Sequence, residues 1–220
     1  MLSTIIIKFL KSLKQNNNKP WMDLHRNEYE KAKEDFHFFV DEMINKVAKF
    51  DASIGMLKSK ECSFRINRDI RFSKDKRPYK NNMAAYFNRE GKKGRGAGYY
   101  IHIEPGKSFV AAGIWMPEAK DLAAIRQEID YNFEEWEKIL STASFKNQFK
   151  DGIDNSDTLV RPPKGYTDDN PAIKYLKFKS FIFRKSFSDK EVLDSSFPKA
   201  VSKTFQTVKP VIEFINRSLD

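Results

Sequence analysis

The chain is short of several things, and each shortage excludes a class of function. Cys62 is the only cysteine. No intramolecular disulfide can form, and a zinc site would need other ligand types. A lone thiol suits a reducing compartment, so a cytoplasmic location is expected. Histidine is almost as scarce. His25 and His37 stand about three helical turns apart, too far to share an ion, and no metal site is expected. No cofactor is expected either, because "GKKGRGAG" (91–98) lacks the spacing of the dinucleotide and nucleotide phosphate loops. No run approaches the ~18 apolar residues that span a bilayer. The opening "MLSTIIIKFLKSLK" has no basic region ahead of its apolar run, the reverse of a signal peptide. It reads as an amphipathic helix through Leu2, Ile5, Ile6, Phe9, Leu10 and Leu13, with a membrane-surface helix as the alternative. No membrane partner is expected. Internal repeats, zinc-finger spacing, RNA-recognition signatures and helix-turn-helix patterns are also missing.

What the chain does have is apolar bulk and segregated charge. Its 220 residues are 40% hydrophobic and include nineteen phenylalanines, enough for one domain with a sizeable core. The formal net charge is +10. Between Lys58 and Arg95 thirteen basic residues face four acidic ones, while the remainder of the chain is nearly balanced. A field of one sign confined to one segment attracts anions and speeds their encounter. The competing reading is a solvated surface that keeps the protein soluble.

Hydrophobic spacing outlines the elements. A long helix from about residue 27 carries Tyr29, Ala32, Phe36, Val40, Met43, Val47 and Phe50 on one face. Cys62, Phe64 and Ile66 alternate with polar residues, as in a strand, and "NMAAYFN" (82–88) alternates similarly. "YYIHIE" (99–104) and "SFVAAGIWM" (108–116) flank Pro105-Gly106 and read as a hairpin. After Pro117 a helical stripe runs through Leu122, Ile125, Ile129, Phe133, Trp136 and Leu140. Residues 145–171 look mostly irregular, 177–187 read as a strand, and Phe197 to Ile215 mark a closing helix kinked at Pro210. Helices at both ends and antiparallel strands between them predict a single α+β domain over residues 1–220, its sheet flanked by helices.

Four blocks appear in a fixed order: "FLKSLKQNNNKPW", "RDIRFSKDKRPYKNN", "GYYIHIEPGKSFVAAGIWMPE" and "PPKGYTDDNPAIKYLKFKSF". Together they resemble the DUF2461 family, bacterial conserved hypothetical proteins with a domain of unknown function. The likeness covers nearly the whole chain. It implies a cytoplasmic single-domain α+β protein and transfers no catalytic residue.

The residues themselves point to an anionic ligand. "RDIRFSKDKRPYK" (68–80) places six cations among thirteen residues against Asp69 and Asp75. Arginine offers a planar fork of donors that matches phosphate or carboxylate, and lysine supplies a mobile charge. Arg65, Arg68, Arg71, Lys74, Lys76 and Lys80 are the candidate binding cations, with Tyr79 packing beside the ligand. An anionic small molecule is the expected partner, and nucleic acid or an acidic protein is the alternative. Ion pairing of Arg68 or Arg71 with Asp69 or Asp75 is the structural reading that competes. Phe72 and Phe87 are expected in the core.

An enzyme acting on a phosphoester at the same place would draw on His102 or Asp69 as acid and base. On the strand, Tyr100, His102 and Glu104 share one face, where the carboxylate can orient the imidazole. A purely structural histidine is the competing reading. The glycine-rich 91–98 segment reads as a mobile basic flap, and Cys62 as a small core residue rather than a nucleophile.

Overall fold

The computed structural model describes residues 2–154 and 156–220. Among them it holds ten helices and a four-stranded antiparallel sheet of order β1-β2-β3-β4, an α+β fold. The chain divides into two compact units, each assembled from separate stretches.

The first unit comprises Met1–Gly94, Tyr100–Val110 and Ser186–Lys203. Helix α1 (Thr4–Gln15) starts at Ser3, whose hydroxyl accepts from the Ile5 amide and donates to Asp35 at 2.9 Å. It buries Ile6, Phe9, Leu10 and Leu13 of the predicted stripe, while Ile5, expected on the same face, is exposed and Ile7 is buried instead. Asn18 caps a short helix α2 (Lys19–Leu24), accepting from the Trp21 amide at 2.9 Å. Pro20 sits in its first turn, where the missing N–H costs nothing. Helix α3 (Arg26–Val47) buries Ala32, Phe36, Val40, Met43 and Val47 as its spacing predicted.

A strand through Cys62 was expected and a helix is found, α4 (Ser59–Cys62). Two side chains hold its first turn: Asp41 accepts from the Ser59 amide and Glu61 from the Lys58 amide, each at 2.8 Å. Such caps satisfy amides that a strand would leave for a neighbour. Extended pairing begins one residue later, where Ser63 bridges Ala85 in β1 (Met83–Phe87). β2 (Gly98–Ile103) and β3 (Ser108–Ile114) form the predicted hairpin. Gly106 takes φ 76° in its turn, a conformation that favours glycine. Tyr99, Ile101 and Ile103 of β2 are fully buried, so Tyr100, His102 and Glu104 face the other way.

The second unit comprises Arg95–Tyr99, Ala111–Lys185 and Thr204–Asp220. Its expected long helix is two, α5 (Ala119–Tyr131) and α6 (Phe133–Ser141), parted at Asn132. Asn132 leaves helical geometry at φ −117° while its amide reaches back to Glu128 at 2.9 Å. The stretch expected to be irregular, 145–171, opens inside helix α7 (Ala143–Gln148), and α8 (Ile173–Leu176) follows it. Between them Ile153 and Thr158 bridge to Phe183 and Phe178. β4 (Phe181–Phe187) begins four residues later than expected.

A capping box of Ser188 and Glu191 starts α9 (Asp189–Leu193) in the first unit. The last helix, α10 (Phe197–Arg217), runs uninterrupted through Pro210. Within the first unit Phe197 stacks on Phe39 at 5.5 Å; within the second, Phe214 packs on Trp136 at 5.0 Å. No helix among the described residues is long and apolar enough to cross a membrane.

Candidate functional site

The basic segment folds as an arm of two extended stretches. Phe64 N–H donates to Ala84, Lys80 to Ile66 and Arg68 to Pro78, at 2.9, 2.8 and 2.9 Å. Asn67 and Tyr79 pair across it. Asn17, at the α1–α2 junction, fixes the arm: its side chain accepts from the Tyr79 amide and donates to Tyr79 O, both at 3.0 Å. Tyr79, expected to pack beside the ligand, is itself buried. Asn17 also donates to Asn81 Oδ1 at 3.0 Å, so two asparagine runs far apart in the sequence meet here. That pairing was not legible in the sequence.

The tip loop sorts the cations into two sets. Asp75 takes both Arg68 and Arg77, the latter with Nη2 2.6 Å from Oδ2. Asp69 takes Arg71 in a fork, Nε 3.0 Å from Oδ1 and Nη2 2.7 Å from Oδ2. Guanidinium hydrogen bonds hold both carboxyls below the usual carboxylate range. Arg68 and Arg71 are therefore committed to the arm itself, as the competing reading foresaw. Asp69, a candidate acid or base, is engaged by Arg71.

The second set makes no ion pair among the described residues, although the charge of Arg65 reaches the Asp69 carboxyl. Lys76 donates to Ile70 O and Lys80 to Arg65 O, each at 3.0 Å. The side chains of Arg65 and Lys74 make no ion pair or hydrogen bond among the described residues and are exposed. Lys80 is half-buried, its ammonium 5.5 Å from the centre of the Phe64 ring. Burial, and secondarily the charge of Arg65, pull its pKa below the ordinary lysine value. Phe72 was expected in the core and is instead 96% exposed, beside Arg71 at the tip. Core burial is out of reach there because the tip projects past the paired stretches.

Next to the arm's base lies a hydrogen-bonded chain of three side chains. Tyr100 Oη stands 3.1 Å from His102 Nδ1, and His102 Nε2 stands 3.1 Å from Glu104 Oε2. A carboxylate only accepts, so Nε2 carries a proton towards Glu104, and in the neutral imidazole Nδ1 then accepts from the phenol. The imidazole stacks on Phe109 at 4.6 Å, and the Asn82 amide approaches Nδ1 at 3.4 Å. Phe64 packs against Tyr100 at 6.4 Å, so the chain's phenol end abuts the aromatic ring that carries Lys80. The shared strand face expected for these residues is present, and the relay ends at Tyr100, which the sequence reading did not single out as a donor.

Cys62 is fully buried, and burial pushes its thiol up to about 12, far from a reactive thiolate. The 91–98 segment is anchored rather than a loose flap. Lys92 donates to Lys60 O at 2.9 Å in the first unit; in the second, Arg95 grips Asp121 and Asn216 accepts from the Ala97 amide at 2.7 Å. Close backbone approach explains its glycines, since a Cβ on Gly96 would meet the Asn216 amide oxygen at 2.5 Å. No group of three or more metal-ligating side chains is clustered among the described residues.

The profile of one family, described as a conserved hypothetical protein of domain-of-unknown-function type, matches residues 5–214. No curated protein and no solved structure matches the chain.

Proposed function

Because the chain belongs to the DUF2461 family, whose description carries no activity, we propose a function from the residues themselves: the protein binds a phosphate-bearing or other anionic ligand through the cations of the 65–80 arm. The observation that carries this reading is the division of those cations. Arg65, Lys74, Lys76 and Lys80 make no ion pair among the described residues, while the tip's guanidiniums lock its shape. Lys80 is the central member. A half-buried ammonium beside a second cation gains more from an incoming anion than a solvated one does. Arg65 adds a fork of donors for phosphate oxygens.

The test is a binding titration with inorganic phosphate, a nucleoside triphosphate and a short oligonucleotide, each at low and moderate salt. The variant Arg65→Gln/Lys80→Gln is expected to weaken binding roughly tenfold with little change in Tm. A steep salt slope marks a nucleic-acid backbone, which releases counterions, and a shallow slope marks a small ligand. Undiminished binding in the double variant overturns the reading.

One observation favours a second reading, an enzyme acting on a phosphoester. The Glu104–His102–Tyr100 chain is a proton relay whose phenol end lies beside the Phe64 ring. A turnover screen on phosphorylated substrates, lost in His102→Ala and kept in Asp69→Asn, supports it. Activity retained in His102→Ala removes it.

A further inference from the structure

The second unit contains a cleft of about 330 Å3, built from the end of α6, α7, the turn after it, α8 and β4. This volume falls in the range of small-molecule sites, ~300–1,000 Å3. Its floor is aromatic. Phe145, Phe149 and Phe183 pack on one another at 4.9 to 5.8 Å, and Phe178 and Tyr175 complete the wall.

Its rim is cationic. Lys146, Lys150 and Lys174 line the opening against one acid, Asp151. None of the three lysines has an ion-pair partner among the described residues. Their neighbours behave differently: Lys177 pairs with Asp168 at 2.8 Å and Lys179 with Asp157 at 2.6 Å. The unit thus supplies acids to the lysines around the cleft and withholds them from those on its lip. The charge balance that the sequence shows outside residues 58–95 conceals this local excess, because acids and bases there cancel only in sum.

An aromatic floor beside exposed lysines that make no ion pair among the described residues, Lys174 lying 5.6 Å from the centre of the Tyr175 ring, complements one kind of ligand. We infer that this cleft binds an amphipathic anion, a small molecule with an apolar ring or short acyl body and a carboxylate, sulfonate or phosphate head. The body covers the ring edges, and the head takes the lysines. A bare inorganic anion leaves the floor in water, and a neutral apolar molecule gains nothing from the lip. The site is separate from the arm in its residues and does not depend on the arm's function.

Fluorescence titration with anilinonaphthalene sulfonate tests this directly, because that probe joins an aromatic body to a fixed negative charge. The neutral analogue phenylnaphthylamine serves as the control. The double variant Lys146→Gln/Lys174→Gln removes two exposed side chains and is expected to keep the wild-type Tm. Its Kd for the sulfonate should rise roughly tenfold, while its Kd for the neutral probe stays the same. Arg65→Gln/Lys80→Gln should leave both constants unchanged, which separates failure here from failure of the arm. A sulfonate Kd unaltered by the cleft variant, or shifted as far by the arm variant, overturns the proposal.

Discussion

Arg77 holds the carboxylate of Asp75 with Nε at 3.0 Å and Nη2 at 2.6 Å, and Arg68 takes the same carboxylate from the other stretch of the arm. One acid thus ties the two stretches together. Removing it leaves two adjacent guanidiniums facing each other without a counterion. Asp75→Asn is therefore expected to loosen the tip while the folded core remains. Amide exchange at Arg68 and Arg77 should speed up, since these report the Pro78 and Asp75 bonds respectively. Global Tm should move little, because the tip is exposed. Unchanged exchange at both amides means that the arm is held by backbone pairing alone.

The same chemistry sets a direction for acid sensitivity. Guanidinium hydrogen bonds lower the carboxyl pKa of Asp75, of Asp121 beside Arg95, and of Glu135 beside Arg217. A carboxyl with a depressed folded pKa contributes stability above its unfolded value, about 4, and loses it as pH falls toward the folded value. Stability should hold from neutral pH down to about 5 and then decline below about 4. Urea titrations across that window measure it. Asp121→Asn should flatten the decline, since the Asp121 side chain is largely enclosed while its carboxyl is held low by Arg95.

Local pattern carried most of the fold, and long-range partners carried what it missed. The burial stripe of α3 and the β2–β3 hairpin were readable because apolar spacing and a Pro-Gly turn are encoded within a few residues. The turn at Ser59 was not, since Asp41, eighteen positions earlier, decides it. The basic arm was legible as charge. Which cations stay unmatched depends on how Asp69 and Asp75 distribute themselves in the folded tip. Phe72 shows the limit of composition: a phenylalanine is usually buried, but here the chain places it on a projecting loop.

Gly113 should be the least replaceable glycine. Its φ of 128° is a conformation L side chains rarely adopt, and an added Cβ would lie 1.8 Å from the carbonyl oxygen of Phe181. No side chain can yield there, because the obstacle is the backbone of the neighbouring strand. Gly113→Ala is expected to destabilise by ~4 kcal/mol or to prevent folding. Gly106→Ala meets nothing within 4 Å and bears only the strain of its positive φ, so it should cost ~1 kcal/mol. Chemical denaturation of the pair measures the difference, and equal costs would contradict the close approach.

Cys62 gives a probe of opening. Its thiol is driven up to about 12, chiefly by burial. Here the ionised form is the disfavoured one, so folding is supported below the unfolded pKa and weakens as pH rises from about 9 towards 12. At pH 8 the native protein should resist thiol labelling by dithionitrobenzoate, and the rate should rise with denaturant in step with unfolding. Rapid labelling without denaturant would place the thiol at the surface.

Trp136 poses a sharper question about packing against hydrogen bonding. The side chain is fully buried among Tyr175, Phe181 and Phe214, and its indole Nε1 has no hydrogen-bond partner among the described residues. An unmet buried donor costs ~1–3 kcal/mol, whereas losing the whole ring leaves a cavity costing ~3–5 kcal/mol. Trp136→Phe removes the donor together with part of the ring, and the two effects oppose each other. Its net destabilisation should stay within ~1.5 kcal/mol. Trp136→Ala has no such compensation and should show the full cavity cost. Urea midpoints of the two variants decide the matter. If Phe costs nearly as much as Ala, the indole nitrogen is serving an interaction worth keeping, and its apparent isolation is not what sets the stability of this core.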